Sequence, residues 1–428
     1  MNKILLDAGP RDLLLDLFSH AVARADPSEN MAGSLPQPPT GKVVVVGAGK
    51  AGASMAQTLE KVWPGPLEGL VLVPYGHALD CNFIEIIEAG HPVPDSAGQV
   101  GAQRIFDLAC SLGPDDLLLC LLSGGGSSLL SLPLPGVSLK QKQSITSQLL
   151  VCGASIHEIN TVRKHLSNIK GGRLAQAAYP ARTESLLISD VPGDDPATIA
   201  SGPTTGDPTT IDQAVAILAK YGIQLAKAVD AVLRAPASES PSPGHVHLSH
   251  SRLSIIATPA EALAAAGAHA QERGLTVINR GDAEEGIARE LACVHSRLII
   301  DSDQFSGTGP KTVMLSGGET TVVVKGQGTG GRNQEYLLAL AIELNGMDNI
   351  FAIACDTDGI DGASKVAGAI ITPDTLSRAK LLKMNPGTYL ADNNAGAFFE
   401  ALGDTVVTGP TRTNVNDFRA IACFRGPG

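Results

Sequence analysis

The sequence predicts an α/β protein with two domains. Nearly continuous apolar runs alternate with segments whose apolar residues recur at helical spacing, which is typical of a parallel sheet covered by helices on both faces. The chain of 428 residues is also too long for one ordinary hydrophobic core. The stretch 235–247, APASESPSPGHVH, is rich in Pro, Ser and Ala without periodicity, and we interpret it as a linker. The expected domains are residues 1–240 and 241–428.

Individual elements follow from the same patterns. In the N-terminal domain, strands are predicted at 42–47, 69–73, 84–89, 116–123 and 185–190, with helices over 10–25, 96–112 and 138–153. In the C-terminal domain, strands are predicted at 253–258, 275–279, 312–318, 320–326 and 349–356, with helices over 259–273, 283–296 and 332–345. The runs 312–318 and 320–326 are expected to form an extended pair.

Composition excludes several classes of function. A formal net charge of −11 and an aromatic content of 4% argue against binding to nucleic acid or to an anionic membrane. No uncharged apolar run is long enough for a membrane span. The seven cysteines form no C-x-x-C pair, so we expect buried thiols in a reducing, cytoplasmic location. The oligomeric state is left open, with a homo-oligomer as one alternative.

The loop after the first strand, VVVVGAGKAG, has a Gly-x-Gly-x-x-Gly pattern formed by Gly47, Gly49 and Gly52. This pattern is typical of a dinucleotide site when an acidic residue follows the second strand to bind ribose. Here residues 75–77 at that point are Tyr, Gly and His. Lys50 inside the loop instead adds a cation suited to a phosphoryl group. A dinucleotide and a transferring phosphate both remain open from this loop alone.

Other glycine-rich loops also lie at the ends of predicted elements. They are SGGGSS (123–128), SDVPGDD (189–195), SGGE (316–319), GTGGRNQE (328–335) and DTDGIDG (356–362). Glycine allows backbone N–H groups to approach an anion closely. So many loops of this kind indicate phosphate chemistry.

Two groups of acidic residues follow strands. Asp190 and Asp194 belong to the first group, and Asp356 and Asp358 to the second. Mg²⁺ is held in proteins by one or two carboxylates together with substrate phosphates. Asp is also a common turn residue, so a purely structural role stays open. Arg332 is a candidate for bidentate binding of a carboxylate or phosphate, with a surface arginine as the alternative.

Taken in order, the motifs resemble those of a known family. They are VVGAGKAG (45–52), LLSGGGSSLL (121–130), RKHLSNIKGGRLA (163–175), LISDVPGDDPATIASGPT (187–204), SGGE (316–319), GGRNQE (330–335), DTDGIDG (356–362) and GPTRTNVND (409–417). The chain resembles the class II glycerate kinases, which are glycerate 2-kinases with a C-terminal MOFRL domain. The resemblance implies an α/β fold with a Rossmann-like parallel-sheet N-terminal domain and a smaller α/β MOFRL domain. It also implies transfer of phosphate from ATP to the 2-hydroxyl of D-glycerate, with Mg²⁺.

The resemblance also implies site residues. The family's proposed active-site lysine and arginine correspond to Lys50 and Arg332, and we add Asp190 as the base. The expected nucleotide- and substrate-binding residues are Gly47, Gly49, Ser123, Gly124, Gly125, Gly126, Ser127, Gly317, Gly318, Glu319 and Asn333. The expected metal ligands are Asp190, Asp194, Asp356 and Asp358. Some family members carry the label hydroxypyruvate reductase, so an NAD(P)H-dependent reductase is the alternative, and a non-catalytic sugar-acid binder is a third.

Overall fold

Two units make up the computed structural model, which describes residues 9–306 and 309–424. The parallel-sheet unit is Pro27–Ile256, and the mixed-sheet unit combines described residues up to Asp26 with those from Ala257 onward. The expected boundary at 240/241 therefore falls inside the parallel-sheet unit. The stretch 235–247 packs within that unit, where Ser238 is buried and the Pro241 carbonyl accepts a hydrogen bond from the backbone of the same unit. The sequence predicted a linker here because this stretch has no apolar periodicity. Its buried residues include small serines, which give no such periodicity.

The parallel-sheet unit is built on six strands. They are β1 (Val43–Ala48), β2 (Glu68–Pro74), β3 (Ile84–Ala89), β4 (Leu117–Leu122), β5 (Arg182–Ile188) and β6 (Ser251–Ala257), in the order β3-β2-β1-β4-β5-β6. The pairings from β3 through β5 are parallel, and every residue of β1 and β4 is buried, as their apolar runs predict. The strand order reverses direction between β1 and β4, and the crevice at the carboxyl ends of such neighbours is the usual ligand site of an open α/β sheet.

Helices connect these strands. They are α2 (Pro27–Asn30), α3 (Gly52–Val62), α4 (Ser96–Cys110), α5 (Gly126–Leu129), α6 (Leu139–Val151), α7 (Ile156–His165), α8 (Arg173–Ala178), α9 (Ile211–Lys220) and α10 (Lys227–Leu233), while α1 (Pro10–Arg24) belongs to the mixed-sheet unit. Serines at 138 and 155 begin α6 and α7 with reciprocal capping boxes, which satisfy the first backbone N–H groups. Across the described residues, no helix combines the length and apolar character needed to cross a membrane.

The mixed-sheet unit contains a second six-stranded sheet. The strands of this unit are β7 (Thr276–Asn279), β8 (Gly286–Ile287), β9 (Thr312–Gly318), β10 (Thr320–Thr321), β11 (Ile350–Asp356), β12 (Gly368–Ile371), β13 (Thr405–Val406) and β14 (Asp417–Cys423), of which β8 and β10 form a separate pair. Its further helices are α11 (Pro259–Glu272), α12 (Ala288–Ile300), α13 (Arg332–Leu344), α14 (Thr375–Leu381), α15 (Pro386–Ala391) and α16 (Ala395–Leu402). The order is β13-β12-β11-β14-β9-β7, with antiparallel pairing except between β7 and β9. The overall prediction of two α/β parts with a parallel sheet in the first is confirmed.

One strand pairing was predicted wrongly. The runs 312–318 and 320–326 do not pair, because β9 lies between β14 and β7, and β10 pairs with β8. The physical reason is that both edges of β9 are already paired, one with β14 and the other with β7. After Gly318, where φ is +111°, the chain continues into β10, which pairs with β8.

The loops after β1 and β4 are packed directly against each other. The Lys50 N–H donates to the Gly124 carbonyl at 2.8 Å, and the Ala51 N–H donates to Ser123 Oγ at 3.0 Å. This approach explains the first glycines of the pattern, since a Cβ at Gly47 would overlap the backbone of β4 and a Cβ at Gly49 would overlap Ser123. The two loops thus form one structural element, which we call the paired loops (residues 47–52 and 123–128).

Gly49→Ala is expected to lower the free energy of unfolding by about 2–4 kcal/mol, because it combines a positive φ of +142° with a clash against Ser123. The matched control is Gly76→Ala, which also has a positive φ but open space around its Cβ, and which is expected to cost about 1 kcal/mol. Urea unfolding of both variants measures the difference. Equal losses would show that the close packing of the paired loops contributes no stability.

Candidate functional site

The Gly-x-Gly-x-x-Gly loop does not present its backbone to a ligand. The N–H groups of residues 49–52 donate in turn to Leu72 O, Gly124 O, Ser123 Oγ and Gly49 O. A dinucleotide fold of this type uses such N–H groups and the following helix to bind the pyrophosphate. Here these N–H groups already donate to acceptors within the paired loops and in β2. The glycines are therefore explained by packing, and Lys50 is the one residue of this loop with a long charged side chain.

The SGGGSS loop has a different geometry. Gly125 adopts φ of +82°, and the described residues supply no acceptor for the N–H groups of Gly124 and Gly125. An added Cβ at Gly125 would lie 3.4 Å from Cγ of Lys50 and 2.9 Å from Nε2 of His91. The Lys50 side chain therefore passes beside this loop. Donors arranged in this way form an anion-binding concavity.

Ser127 is held from two sides. Its carbonyl oxygen accepts a hydrogen bond of 2.6 Å from Lys170 Nζ, and its hydroxyl lies 2.7 Å from the Ser201 hydroxyl. Ala200 and Ser201 both have positive φ, at +51° and +62°. Strained backbone of this kind in non-glycine residues is concentrated at functional sites. The segment after β5 thus closes onto the SGGGSS loop.

A cavity of about 680 Å³ opens next to this loop, entirely inside the parallel-sheet unit. Gly125, Ser127 and Lys170 line one part of it, and α6 and α7 form a wall. Its volume lies in the range of about 300–1,000 Å³ that is usual for small-molecule sites.

Three cationic side chains line this cavity. They are Lys142, Arg163 and Lys170, and the described residues give none of the three an ion pair. Lys142 is only 5% exposed, and its Nζ has no hydrogen-bond partner within the described chain. The neighbouring Lys164, in contrast, is paired with Asp207 at 2.6 Å. Buried cations are usually paired, so this arrangement is electrostatically incomplete.

The pKa values reflect this arrangement. Burial, with Arg163 nearby, lowers the pKa of Lys142 to about 7. Burial together with the charges of Lys142 and Arg163 lowers the pKa of Lys170 well below its ordinary value. An anion entering the cavity would favour the charged form of both lysines. Such perturbed groups around a cavity are typical of a functional site.

The acidic residues after β5 differ from one another. Asp194 has φ of +55°, and its buried Oδ1 finds no hydrogen-bond partner among the described residues. Asp195 is used locally, since its carboxylate accepts from the Ala197 N–H and the Thr198 hydroxyl. Asp190 lies two residues beyond the end of β5, partly exposed. The described part of the chain contains no group of three or more His, Cys, Asp or Glu side chains arranged to hold a metal.

In the mixed-sheet unit, Arg332 is held by three carboxylates. Its guanidinium donates to Glu319 at 2.5 Å, Asp356 at 2.9 Å and Asp417 at 2.8 Å. These acids raise the pKa of Arg332 well above its ordinary value, against the opposing effect of burial. We call these four residues the arginine clamp, in which three of the five guanidinium N–H groups of Arg332 donate to carboxylates.

The start of α13 is capped by a further acid beside the clamp. Asp361 accepts hydrogen bonds from the backbone N–H groups of Asn333 and Gln334. Burial raises the pKa of Asp361 to about 7. The Asn333 side chain is fully buried and donates to Asp361 and Asp417. It therefore supports the clamp from inside.

The remaining expected residues of this unit lie close to the clamp. The Gly317 N–H donates to the Gly281 carbonyl, so it is not offered to a phosphate. Asp358 is buried, and its backbone N–H donates a hydrogen bond of 3.1 Å to Asp356 Oδ1. The structure thus brings Lys50 and the expected residues of the paired loops together in one unit, and Arg332 with its neighbouring residues together in the other. Asp190 and Asp194 lie in the segment that follows β5.

Comparisons with known proteins were made for the whole chain. The family model for a domain of unknown function, DUF4147, matches residues 13–234, and that for the MOFRL family matches 312–417. A D-glycerate 2-kinase of Thermotoga maritima is 38% identical, covering 95% of this chain and 97% of its own. The crystal structure of a glycerate kinase from Thermotoga maritima is similar with a TM-score of 0.86 at 36% identity, covering 96% of this chain and 99% of that one. The chain belongs to the glycerate kinase family.

The family includes proteins with another name. A protein of Agrobacterium vitis, provisionally named a hydroxypyruvate reductase, is 48% identical, covering 97% of this chain and 95% of its own. Membership of the glycerate kinase family therefore leaves the reaction to be decided by the site.

Sequence reasoning missed the cations of this glycerate kinase family member. Arg163 and Lys170 lie in RKHLSNIKGGRLA, where no acidic residue occurs from 160 to 183, and that one-sided charge was a usable signal. Lys142 gave no signal, because it stands on a helix beside the exposed Lys140. Only the fold shows which of the two lysines is buried.

Lys142→Met is expected to raise the free energy of unfolding at pH 7 by roughly 1–3 kcal/mol, because it removes an unpaired buried cation. The folded pKa of about 7 lies below the ordinary value of 10.5, so the unfolded chain binds more protons between those two values. The gain is therefore greatest below pH 7 and disappears as the pH rises to about 10.5. Urea unfolding across this pH range measures it, with exposed Lys140→Met as the control. A gain independent of pH would contradict this assignment.

Proposed function

We propose that the protein phosphorylates D-glycerate at the 2-hydroxyl with ATP, giving 2-phospho-D-glycerate and ADP. The observation that carries this proposal is the cationic cavity beside the paired loops. It gathers Lys142, Arg163 and Lys170, for which the described residues supply no compensating carboxylate, and this suits a highly charged anion. The names of the Thermotoga maritima relatives point in the same direction.

The chemistry needs few groups. The 2-hydroxyl oxygen attacks the γ-phosphorus, the bond from that phosphorus to the bridging oxygen breaks, and ADP leaves. Catalysis of such a transfer consists mainly of positioning and charge stabilisation. Lys50, whose stem passes Gly125, supplies a cation for the transferring group. Asp190, following β5 at the same edge of the sheet, is our candidate to accept the hydroxyl proton.

Mg²⁺ fits the donors after β5. Asp194 Oδ1, which is buried and has no hydrogen-bond partner among the described residues, is a hard anionic ligand of the type that Mg²⁺ prefers. Asp356 is a poorer candidate, because one of its oxygens binds Arg332 and the other accepts the Asp358 N–H. Mg²⁺ would neutralise charge on the phosphates. With few protein carboxylates available, most of its remaining ligands would be phosphate oxygens and water.

In the mixed-sheet unit we propose an indirect role for Arg332. The arginine clamp orders three acids around one guanidinium, and Asn333 and Asp361 fix it to the start of α13. Arg332 is then a positioning residue, and Glu319, half exposed, is the member of the clamp that a polar substrate could reach. The proposed binding roles of Gly317 and Gly318 are weakened by the packing of their backbone.

The second candidate is an NAD(P)H-dependent hydroxypyruvate reductase, favoured by the name of the Agrobacterium vitis relative. Two observations count against it. The N–H groups of the Gly-x-Gly-x-x-Gly loop are already used within the protein. Residues 75–77 after β2 also offer no ribose-binding acid.

A coupled assay separates the two reactions. We expect ADP release that depends on D-glycerate and ATP, and no oxidation of NADH or NADPH with hydroxypyruvate. Identification of the product as the 2-phosphate, by its conversion with enolase, tests the position of transfer. Hydroxypyruvate-dependent oxidation of NADPH without ADP release would establish the reductase, and glycerate binding without either activity would indicate a binding protein.

Lys50→Met is expected to lower kcat by about a hundredfold or more, because it removes a cation from the transferring phosphate. The KM for glycerate should change by no more than about threefold, since the role of Lys50 lies in the transition state. Steady-state kinetics measure both constants, with the exposed Lys61→Met as control. A kcat within about threefold of the unmodified enzyme would remove Lys50 from the mechanism.

A further inference from the structure

The cavity beside the SGGGSS loop has two chemically different parts. Lys142 and Lys170 are buried, at 5% and 1% exposure, and form its cationic part with Arg163. Val93, Leu150 and Ile156 also line it, yet each is more than half exposed. The cations therefore lie in the interior, and apolar side chains lie where the cavity meets solvent.

Neither part suits glycerate alone. A three-carbon acid carries one negative charge and would leave most of a cavity of about 680 Å³ unfilled. A single carboxylate also cannot neutralise three cations. A triphosphate can, and its oxygens accept several charge-assisted hydrogen bonds at once.

The position of the cavity connects it to the reacting group. Gly125 and Ser127 line its interior, and Gly125 lies against the stem of Lys50. Lys170 also binds the carbonyl of Ser127. A phosphate chain among the cations would therefore end beside the SGGGSS loop and Lys50.

We infer that this cavity is the nucleoside triphosphate site, with Lys142, Arg163 and Lys170 around the phosphates and Leu150 and Ile156 against the nucleoside. The buried Nζ of Lys142, which has no partner among the described residues, is the donor that the phosphates complete. This inference rests on the proposed kinase function, and it assigns the nucleotide to the parallel-sheet unit.

Lys142→Met tests the cationic part. We expect the affinity for a non-hydrolysable ATP analogue and for inorganic tripolyphosphate to fall by about tenfold or more, the loss of one charged donor. The KM for glycerate should stay within about twofold, and exposed Lys140→Met should change nothing. Isothermal titration calorimetry of the full chain measures the affinities. Unchanged affinity for the analogue would overturn the inference, and a raised glycerate KM with unchanged analogue binding would assign the cavity to glycerate.

Leu150→Ser tests the apolar part, and it is well tolerated by the fold because Leu150 is 60% exposed. The analogue should bind several-fold more weakly, while tripolyphosphate, which has no nucleoside, should bind as before. The control is Val151→Ser, the next residue on α6, which is 85% exposed and outside the cavity lining. Equal behaviour of Leu150→Ser and Val151→Ser would overturn the placement of the nucleoside.

These binding measurements need no turnover, so they are separable from the proposed function. A lack of glycerate-dependent ADP release in the unmodified protein would refute the kinase. The assignment of the nucleotide site would still be tested separately, by whether Lys142→Met weakens binding of the analogue.

Discussion

The hydrogen bonds between the paired loops are the constraint on which the rest of the candidate site depends. Ser123 Oγ and the Gly124 carbonyl take the N–H groups of Ala51 and Lys50, and this requires glycine at 47 and 49. The same contacts leave the N–H groups of Gly124 and Gly125 without acceptors among the described residues. The backbone N–H groups of the loop 47–52 are thus used inside the protein, whereas those of Gly124 and Gly125 have no acceptor among the described residues. The Lys50 side chain lies beside Gly125.

The cations of the cavity show a conflict between stability and function. Three buried or partly buried positive groups near one another cost folding free energy, and the lowered pKa of Lys142 and Lys170 is the measure of that cost. Nearby Lys164 and Asp207 demonstrate that this region of the fold can supply a carboxylate where a pair is wanted. Under the proposed function, an anion that enters the cavity would offset this cost.

In the mixed-sheet unit the excess charge near the candidate residues is negative. Acids outnumber cations around α13, and Arg332 holds three of them while Arg419 takes the second oxygen of Asp417 at 2.6 Å. Burial, with the charge of Asp417 as a smaller contribution, raises the pKa of Asp361 to about 7. Anion binding by Arg332 stays a prediction of the sequence, and its three carboxylate contacts are the reason that we propose a positioning role for it.

The sequence by itself determined the alternation of strands and helices and the loops at strand ends, because apolar periodicity and glycine placement are local signals. The catalytic role of Lys50 stays a prediction. Only the tertiary structure shows that Lys142 is buried while Lys140 is exposed. Only the strand pairing shows that β14 lies between β9 and β11. Both depend on contacts between residues far apart in the chain. The packing of the Gly-x-Gly-x-x-Gly loop was likewise visible only in the tertiary structure, because the loop that it contacts begins more than 70 residues later.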